Sequence, residues 1–312
     1  MKKVIKFNII AILLMSSVQG IAQQLPQFTQ YMYNTISINP AYAGSRETFS
    51  LVGLHRSQWV GIEGGPTTQT LSVHSPMRND NVGLGFSLIV DKLGYENFAY
   101  AYADFSYTIQ VGYETELALG VKGGFTHYYL DAELLNDPSV IQDQYFNDVS
   151  NRWSPNVGLG AFLHSDRWYL GLSIPRILNT DYNNGRNGTI DYVSLERIGY
   201  YFTGGYVWDL SASTKFKPAF MVKATNGAPI SYDLTANFLF NEKFWLGAAY
   251  RLNESAGALG AIADWQVSPQ WRIGYAYEYP ISDIRPYSQG THEILLMFEL
   301  FKNKRIKSPR YF

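Results

Sequence analysis

The sequence predicts an all-β chain: a transmembrane antiparallel β-barrel of about 14 strands, both termini in the periplasm. Three observations carry that prediction. Side chains alternate with period two along most of the chain, short and longer connections follow one another in strict turn, and aromatic residues gather near the ends of the alternating segments.

Successive residues of a strand point to opposite faces, so a half-apolar strand alternates. Val82, Leu84, Phe86, Leu88 and Val90 alternate with Gly83, Gly85 and Ser87. Ala99, Ala101, Ala103, Phe105 and Tyr107 alternate with Tyr100, Tyr102, Asp104 and Ser106, and Trp271, Ile273, Tyr275, Tyr277 and Tyr279 with Arg272, Gly274, Ala276 and Glu278. About fourteen such segments centre near Leu51, Leu71, Phe86, Ala103, Val121, Leu159, Leu170, Phe202, Phe220, Ala236, Ala248, Ala261, Tyr275 and Leu296. Each has the length of a tilted strand crossing hydrocarbon. Pro218 falls inside one of them and predicts a bulge or register break.

The short connections are Pro76–Asn81, Gly112–Glu114, His164–Arg167, Asp209–Ser213, Asn241–Lys243 and Val267–Gln270. The longer class includes Val60–Pro66, Asp131–Trp153, Arg176–Arg197 and Pro280–Gly290, with Asp91–Tyr95, Asn226–Pro229 and Asn253–Ala256 as modest members. Short turns inside and long loops outside are the pattern of outer-membrane barrels. A soluble β-sandwich also alternates. Against it stand aromatic belts (Trp59, Trp168, Trp208, Trp245, Trp265, Trp271, Tyr95, Tyr129, Tyr250 and Tyr279) of the kind a membrane interface favours. The other face carries many glycines and charges of both signs: Asp104, Lys122, Asp233, Arg251, Asp264, Arg272, Glu278, Glu293 and Glu299. That face suits a wet or salt-bridged lumen, not a dry core. Tyr100, Tyr102, Tyr128 and Tyr169 also point inward, and Trp245 enters both sets. Closure requires the last strand, His292–Phe301, to pair with the first, because an open edge in hydrocarbon is costly.

Residues 1–22 have the form of a cleaved signal peptide: Met1-Lys2-Lys3, an apolar run from Ile9 to Met15, and small Gly20 and Ala22 before the cut. Residues 23–45 hold Pro26 and Pro40 without sustained alternation, and are expected in the periplasm or folded into the lumen. Residues 46–301 form the barrel. Residues 302–312 are a basic periplasmic tail, either simply solvated or a docking peptide ending in Arg310, Tyr311 and Phe312.

Composition bounds the chemistry. Charged residues are 16 % and the net charge is −1, which gives no reason to expect a nucleic-acid partner. There is no cysteine, so disulfides, thiolate metal sites and a lipoprotein anchor are not expected. The histidines show no metal-ligand spacing, and no cofactor is implied. His74-Ser75 and His164-Ser165 are adjacent pairs, which a strand points to opposite faces. The glycine pairs Gly83/Gly85 and Gly158/Gly160 lie inside strands and read as room for curvature or close packing, not phosphate loops. The chain is therefore read as non-enzymatic. A passive diffusion porin is the main rival, since fourteen strands leave room for a pore in principle; an outer-membrane lipid hydrolase is the more distant one.

Gln27-Phe28-Thr29-Gln30-Tyr31-Met32, followed by Asn39-Pro40-Ala41-Tyr42-Ala43-Gly44, resembles the opening of the PorP/SprF family. Arg56-Ser57-Gln58-Trp59-Val60-Gly61 with Gly65-Pro66-Thr67-Thr68-Gln69 is similar to its next block, and Lys307-Ser308-Pro309-Arg310-Tyr311-Phe312 to its final peptide. The chain departs from the family at Gln23-Gln24-Leu25, where an acidic residue is common. The resemblance implies an outer-membrane protein of the Bacteroidetes type IX secretion and gliding machinery. It would help export or anchor a large surface adhesin by binding its C-terminal domain, and link to periplasmic or lipoprotein components. Asn39, Pro40, Ala41, Tyr42, Gly44, Arg56, Gln58, Trp59 and Pro66 are the family positions, structural or partner-binding. Read from the residues alone, Asn39 to Gly44 is a turn: Pro40 disfavours helix at Asn39, and Gly44 permits positive φ.

Overall fold

Alternation on this scale resolves into fourteen antiparallel strands, each bonded to its sequence neighbours. In the computed structural model, which describes residues 26–131, 152–181, 195–226, 228–253, 256–300 and 311, they are β1 (Phe49–Ser57), β2 (Thr67–Pro76), β3 (Val82–Leu93), β4 (Glu96–Gln110), β5 (Glu116–Leu130), β6 (Arg152–His164) and β7 (Trp168–Ile174). Then follow β8 (Gly199–Tyr206, continued by Trp208–Asp209), β9 (Thr214–Thr225), β10 (Ala228–Phe240), β11 (Phe244–Leu252), β12 (Ala258–Gln266), β13 (Trp271–Pro280) and β14 (Thr291–Leu300). A separate two-stranded pair, Thr180–Asp181 with Leu195–Glu196, sits between β7 and β8.

The sheet closes. β1 pairs with β14 from Phe49↔Leu300 to Ser57↔His292, and every other neighbour is bonded, including β8 to β9. The connections expected to be short fall at one mouth and those expected to be longer at the other, but two of the latter are tight turns. β3 and β4 run on to Gly94-Tyr95, where Gly94 takes φ 58°, and β9 and β10 run on until Thr225 pairs with Ala228.

The apolar face is turned outward. Leu84, Phe86, Leu119, Val121, Leu159, Leu172, Leu246, Ile273, Ile294 and Leu296 are all exposed. In water such a surface would drive aggregation; against acyl chains it is the favoured one. Aromatic residues ring it at two heights. Trp208, Trp265 and Trp271 lie at the short-turn end, and Tyr129, Trp153 and Tyr279 at the long-loop end. Trp245 is not part of either belt: it is 2 % exposed and points into the lumen. Trp59 lies in the connection after β1, not on a strand.

Pro218 produces no bulge. It pairs in regular register with Ala236, and its other neighbour, β8, interrupts its own ladder opposite it, between Tyr206 and Trp208. The missing N–H of proline therefore meets the gap, and the register is unchanged across it. The one shift in this pairing comes between Lys223 and Thr225.

Residues 26–45 fill the lumen. They form three 3-10 turns, Tyr31–Tyr33, Thr35–Ser37 and Pro40–Tyr42, and Ile36, Ala41 and Tyr42 are nearly inaccessible. The wall makes room for them with glycine: a β-carbon at Gly120 or Gly160 would run into Ala41 or Asn39. Overpacking of this kind costs about 1–3 kcal/mol. Gly120→Leu should accordingly lower the urea midpoint of the refolded protein, followed by tryptophan fluorescence. Gly123→Leu, three residues along and with nothing within 4 Å on the outer face, should leave it unchanged.

Candidate functional site: a plugged lumen

The inner face of a barrel strand alternates with the outer one, so charges placed at every second position converge on the lumen. At the long-loop end five of them meet across β1, β10, β11, β13 and β14. Arg56 Nη2 lies 2.7 Å from Glu278 Oε2 and Arg56 Nη1 lies 3.1 Å from Glu293 Oε2. Arg251 joins Asp233 at 2.6 Å and the same Glu278 at 3.1 Å. All five side chains are 6 % exposed or less.

This cluster grips the N-terminal segment. The backbone N–H of Thr29 donates to Glu293 Oε2 at 2.9 Å and that of Gln30 to Glu293 Oε1 at 2.8 Å. Thr29 Oγ1 donates to Glu278 Oε1 at 2.8 Å and accepts from Arg56 Nη1 at 3.1 Å. Glu293 thus offers both oxygens to consecutive amides, the bidentate arrangement that fixes direction as well as position. Arg56 and Glu293 are also directly paired residues of the closing strands β1 and β14. One cluster fastens the plug and the seam together.

Further contacts carry the plug across the lumen. Tyr33 Oη donates to Asp264 at 3.2 Å. Asn34 is bonded to Thr70 and Ser72 of β2. On β5, Lys122 donates to the carbonyls of Ile36 and Ser37 at 3.0 and 2.9 Å and pairs with Asp104 at 3.4 Å. At the short-turn mouth Arg46 pairs with Glu299 at 2.7 Å. Burial opposes the charge on Arg46, but the Glu299 carboxylate outweighs it and holds the guanidinium protonated.

The plug therefore runs from the long-loop mouth, where Thr29 is held, to the short-turn mouth, where β1 begins. Pro26 and Tyr311 lie toward opposite mouths, although the barrel itself begins and ends at the short-turn one.

The family positions from Asn39 to Gly44 come together in this plug. Asn39 caps the last 3-10 turn, its Oδ1 accepting from Ala41 N–H at 3.0 Å while its amide donates to the Ala161 carbonyl at 3.0 Å. Pro40 is the first residue of that turn, and Ala41 packs on Gly120. The Tyr42 ring meets His74 and Phe162 edge-on, at 5.3 and 5.4 Å. Gly44 takes φ 79°, and its N–H donates to His74 Nδ1 at 3.1 Å. The turn reading holds locally, but the turn is also a wedge between plug and wall. Gln58, Trp59 and Pro66 sit apart, in the first long connection: Gln58 N–H donates to the Pro66 carbonyl at 2.8 Å, and Trp59 N–H to Thr291 Oγ1 at 3.2 Å. Tyr311 lies at the short-turn mouth, while Arg310, Phe312, residues 1–25, 132–151 and 182–194 are outside the described residues.

Some of the grip was visible in sequence. Asp233, Arg251, Glu278 and Glu293 were identifiable as inward charges; Thr29 and Gln30 were not, because both use backbone amides. Lys217 and Lys223 are buried inward cations that the alternation of β9 would have supplied; Arg46 precedes β1, where alternation has not begun. Among the described residues the adjacent pair His74-Ser75 does not form a catalytic couple: His74 faces inward and half-buried Ser75 outward. Among the described residues no group of three or more His, Asp or Glu is placed to hold a metal.

The sequence model of the PorP/SprF family, type IX secretion system membrane proteins, matches residues 20–298. The chain belongs to the PorP/SprF family. No curated protein matches it in sequence. Among solved structures it is similar to the CymD monoaromatic hydrocarbon channel, with a TM-score of 0.53, 12 % identity, and 93 % of this chain and 97 % of that one covered. It is also similar to the outer membrane protein Omp33 of Acinetobacter baumannii (TM-score 0.47, 9 % identity, 81 % and 98 % covered). Another is the P. putida toluene transporter TodX (0.48, 9 %, 86 % and 94 %). At these identities the likeness concerns the fold. Family and fold together place this PorP/SprF protein in the outer membrane.

The direction of the plug is open to chemical labelling, because the chain has no cysteine of its own. A membrane-impermeant thiol reagent on intact cells should treat Pro26→Cys like Glu63→Cys in the first long connection, and unlike Asn241→Cys in a short turn. Labelling of Pro26→Cys together with Asn241→Cys would reverse the path described.

Proposed function

We propose that this PorP/SprF protein is a closed, non-enzymatic mount of the type IX machinery. It grips the C-terminal domain of a secreted surface adhesin at its long-loop mouth and meets periplasmic components at its short-turn mouth. The observation that carries this reading is the filled lumen. A barrel whose interior is occupied by its own chain, fastened by buried ion pairs, is a platform before it is a passage. A free path for solutes would require breaking contacts to Glu293, Glu278, Asp264 and Lys122 at once.

The orientation follows from the loop pattern. Short turns face the periplasm and long loops the outside in bacterial barrels. The long connections at 131–151 and 175–198 then supply the recognition surface, since loops carried by a rigid scaffold are the usual seat of binding. The short-turn mouth, with Tyr311 beside it, faces the periplasmic machinery. Partners on both sides of one rigid body suit a part that transmits force or position across the membrane.

Two experiments test the reading. Deleting residues 132–151 or 182–194 should release the adhesin from the cell surface while the barrel remains folded; retention unchanged by both deletions would contradict the mount. In planar bilayers the purified protein should show no steady conductance. Glu293→Gln, which weakens the clamp, should produce intermittent openings. Steady conductance of the unaltered protein would favour the porin reading. A hydrolase reading has one contact in its favour: His55 Nε2 lies 3.0 Å from Ser57 Oγ on the outer face. Lipid hydrolysis abolished by Ser57→Ala would support that reading, and its absence in the unaltered protein dismisses it.

A further inference from the structure

A space remains beside the plug at the short-turn mouth. It is a cavity of about 230 Å³ whose lining includes Arg46, Trp245, Gln266, Arg272, Glu299 and Tyr311. Tyr311 is far in sequence from everything it touches there. Its main-chain carbonyl accepts from Lys217 Nζ at 2.7 Å, and the Lys215 ammonium stands 5.3 Å from the centre of its ring.

The two lysines do different work. Lys217 is 0 % exposed and rests over the rings of Trp245 and Tyr33, at 4.7 and 5.3 Å. An aromatic face attracts the cation but offers no lone pair, and the Tyr311 carbonyl supplies one. Lys215 is held by Asp209 at 2.8 Å and Glu242 at 3.3 Å, which fixes its charge at the height of an aromatic ring. The wall thus presents one buried donor for a backbone oxygen, one positioned cation for a ring, and adjoining space bordered by Arg272 and Trp245. Each part matches a peptide carrying an aromatic side chain.

We propose that the short-turn mouth is a binding site for an aromatic-bearing peptide segment, that Tyr311 is its ligand in cis, and that a partner's peptide of the same chemistry takes the site in trans. Tyr311 and such a partner then exclude one another. The chain's own tail is a reversible cap, and occupancy of the mouth reports whether a partner has arrived. The proposal does not rest on the adhesin reading, because the site is complete within this chain.

The test uses the full-length protein in detergent, with Tyr311→p-benzoylphenylalanine as a photocrosslinker. Irradiation should join position 311 to peptides of the same chain that carry Trp245 or Pro269. Lys217→Met should cut the yield by about tenfold, the worth of one charge-assisted hydrogen bond. If that variant fails to fold, Lys215→Gln, nearer solvent, should cut it too. A synthetic peptide of residues 305–312 in excess should lower the yield, and the same peptide with Tyr311→Ala should not. Cross-links scattered over the barrel, a yield unmoved by the lysine substitutions, or no difference between the two peptides would each overturn the proposal. Loss of adhesin binding with these results intact would count against the mount alone.

Discussion

Hydrocarbon leaves the amides of an extended chain nothing to bond except another strand. Everything else in this protein is arranged around that constraint, and its most exposed point is the seam where β14 meets β1. A seam is the place where a sheet opens first. Here it is fastened twice: by the ladder from Phe49↔Leu300 to Ser57↔His292, and by the Arg56–Glu293 pair that lies directly across it. The second fastening also holds Thr29 and Gln30, so the plug is tied to the joint that closes the barrel.

Buried charge explains why the plug is needed. Removing one partner from a buried ion pair costs about 3–5 kcal/mol, because the other is left without compensation. Arg56 and Arg251 face three carboxylates, Asp233, Glu278 and Glu293, so the cluster is one positive charge short and Glu293 still has lone pairs to fill. The plug's amides fill them. On β5 the logic is reversed: Lys122 has protons to place, and the plug supplies the carbonyls of Ile36 and Ser37. The same backbone thus satisfies an anion on one wall and a cation on another. A short segment rich in 3-10 turns suits this task, since tight turns present amides and carbonyls sideways instead of consuming them in a ladder.

The wall was legible in the sequence because its signal is local. Period two, turn spacing and outward aromatics recur every few residues, and all fourteen segment centres fall within strands. Trp245 shows the limit: an aromatic near a strand end belongs to a belt only if its parity points outward, and its partners Lys217 and Leu239 face inward with it. Pro218 shows another, since the compensating gap lies on a different strand. The plug was beyond reach for a related reason. Gln27 to Gly44 has no period, and its partners lie up to 264 residues away. What could be read there was the turn from Asn39 to Gly44, because its signals, Pro40 and Gly44, are local. The inward glycines hinted that something approaches the wall, without saying what.

A barrel with a filled interior is compatible with membership of a family of secretion-system membrane proteins. Residues 26–45 are held as part of the folded barrel and not as a passenger in its lumen. Hydrogen exchange of the reconstituted protein tests this most directly. The amides of Thr29 and Gln30 should be protected on the time scale of β1 and β14, and should lose that protection together with the seam. Exchange at the rate of a free peptide, with the strands still protected, would contradict it.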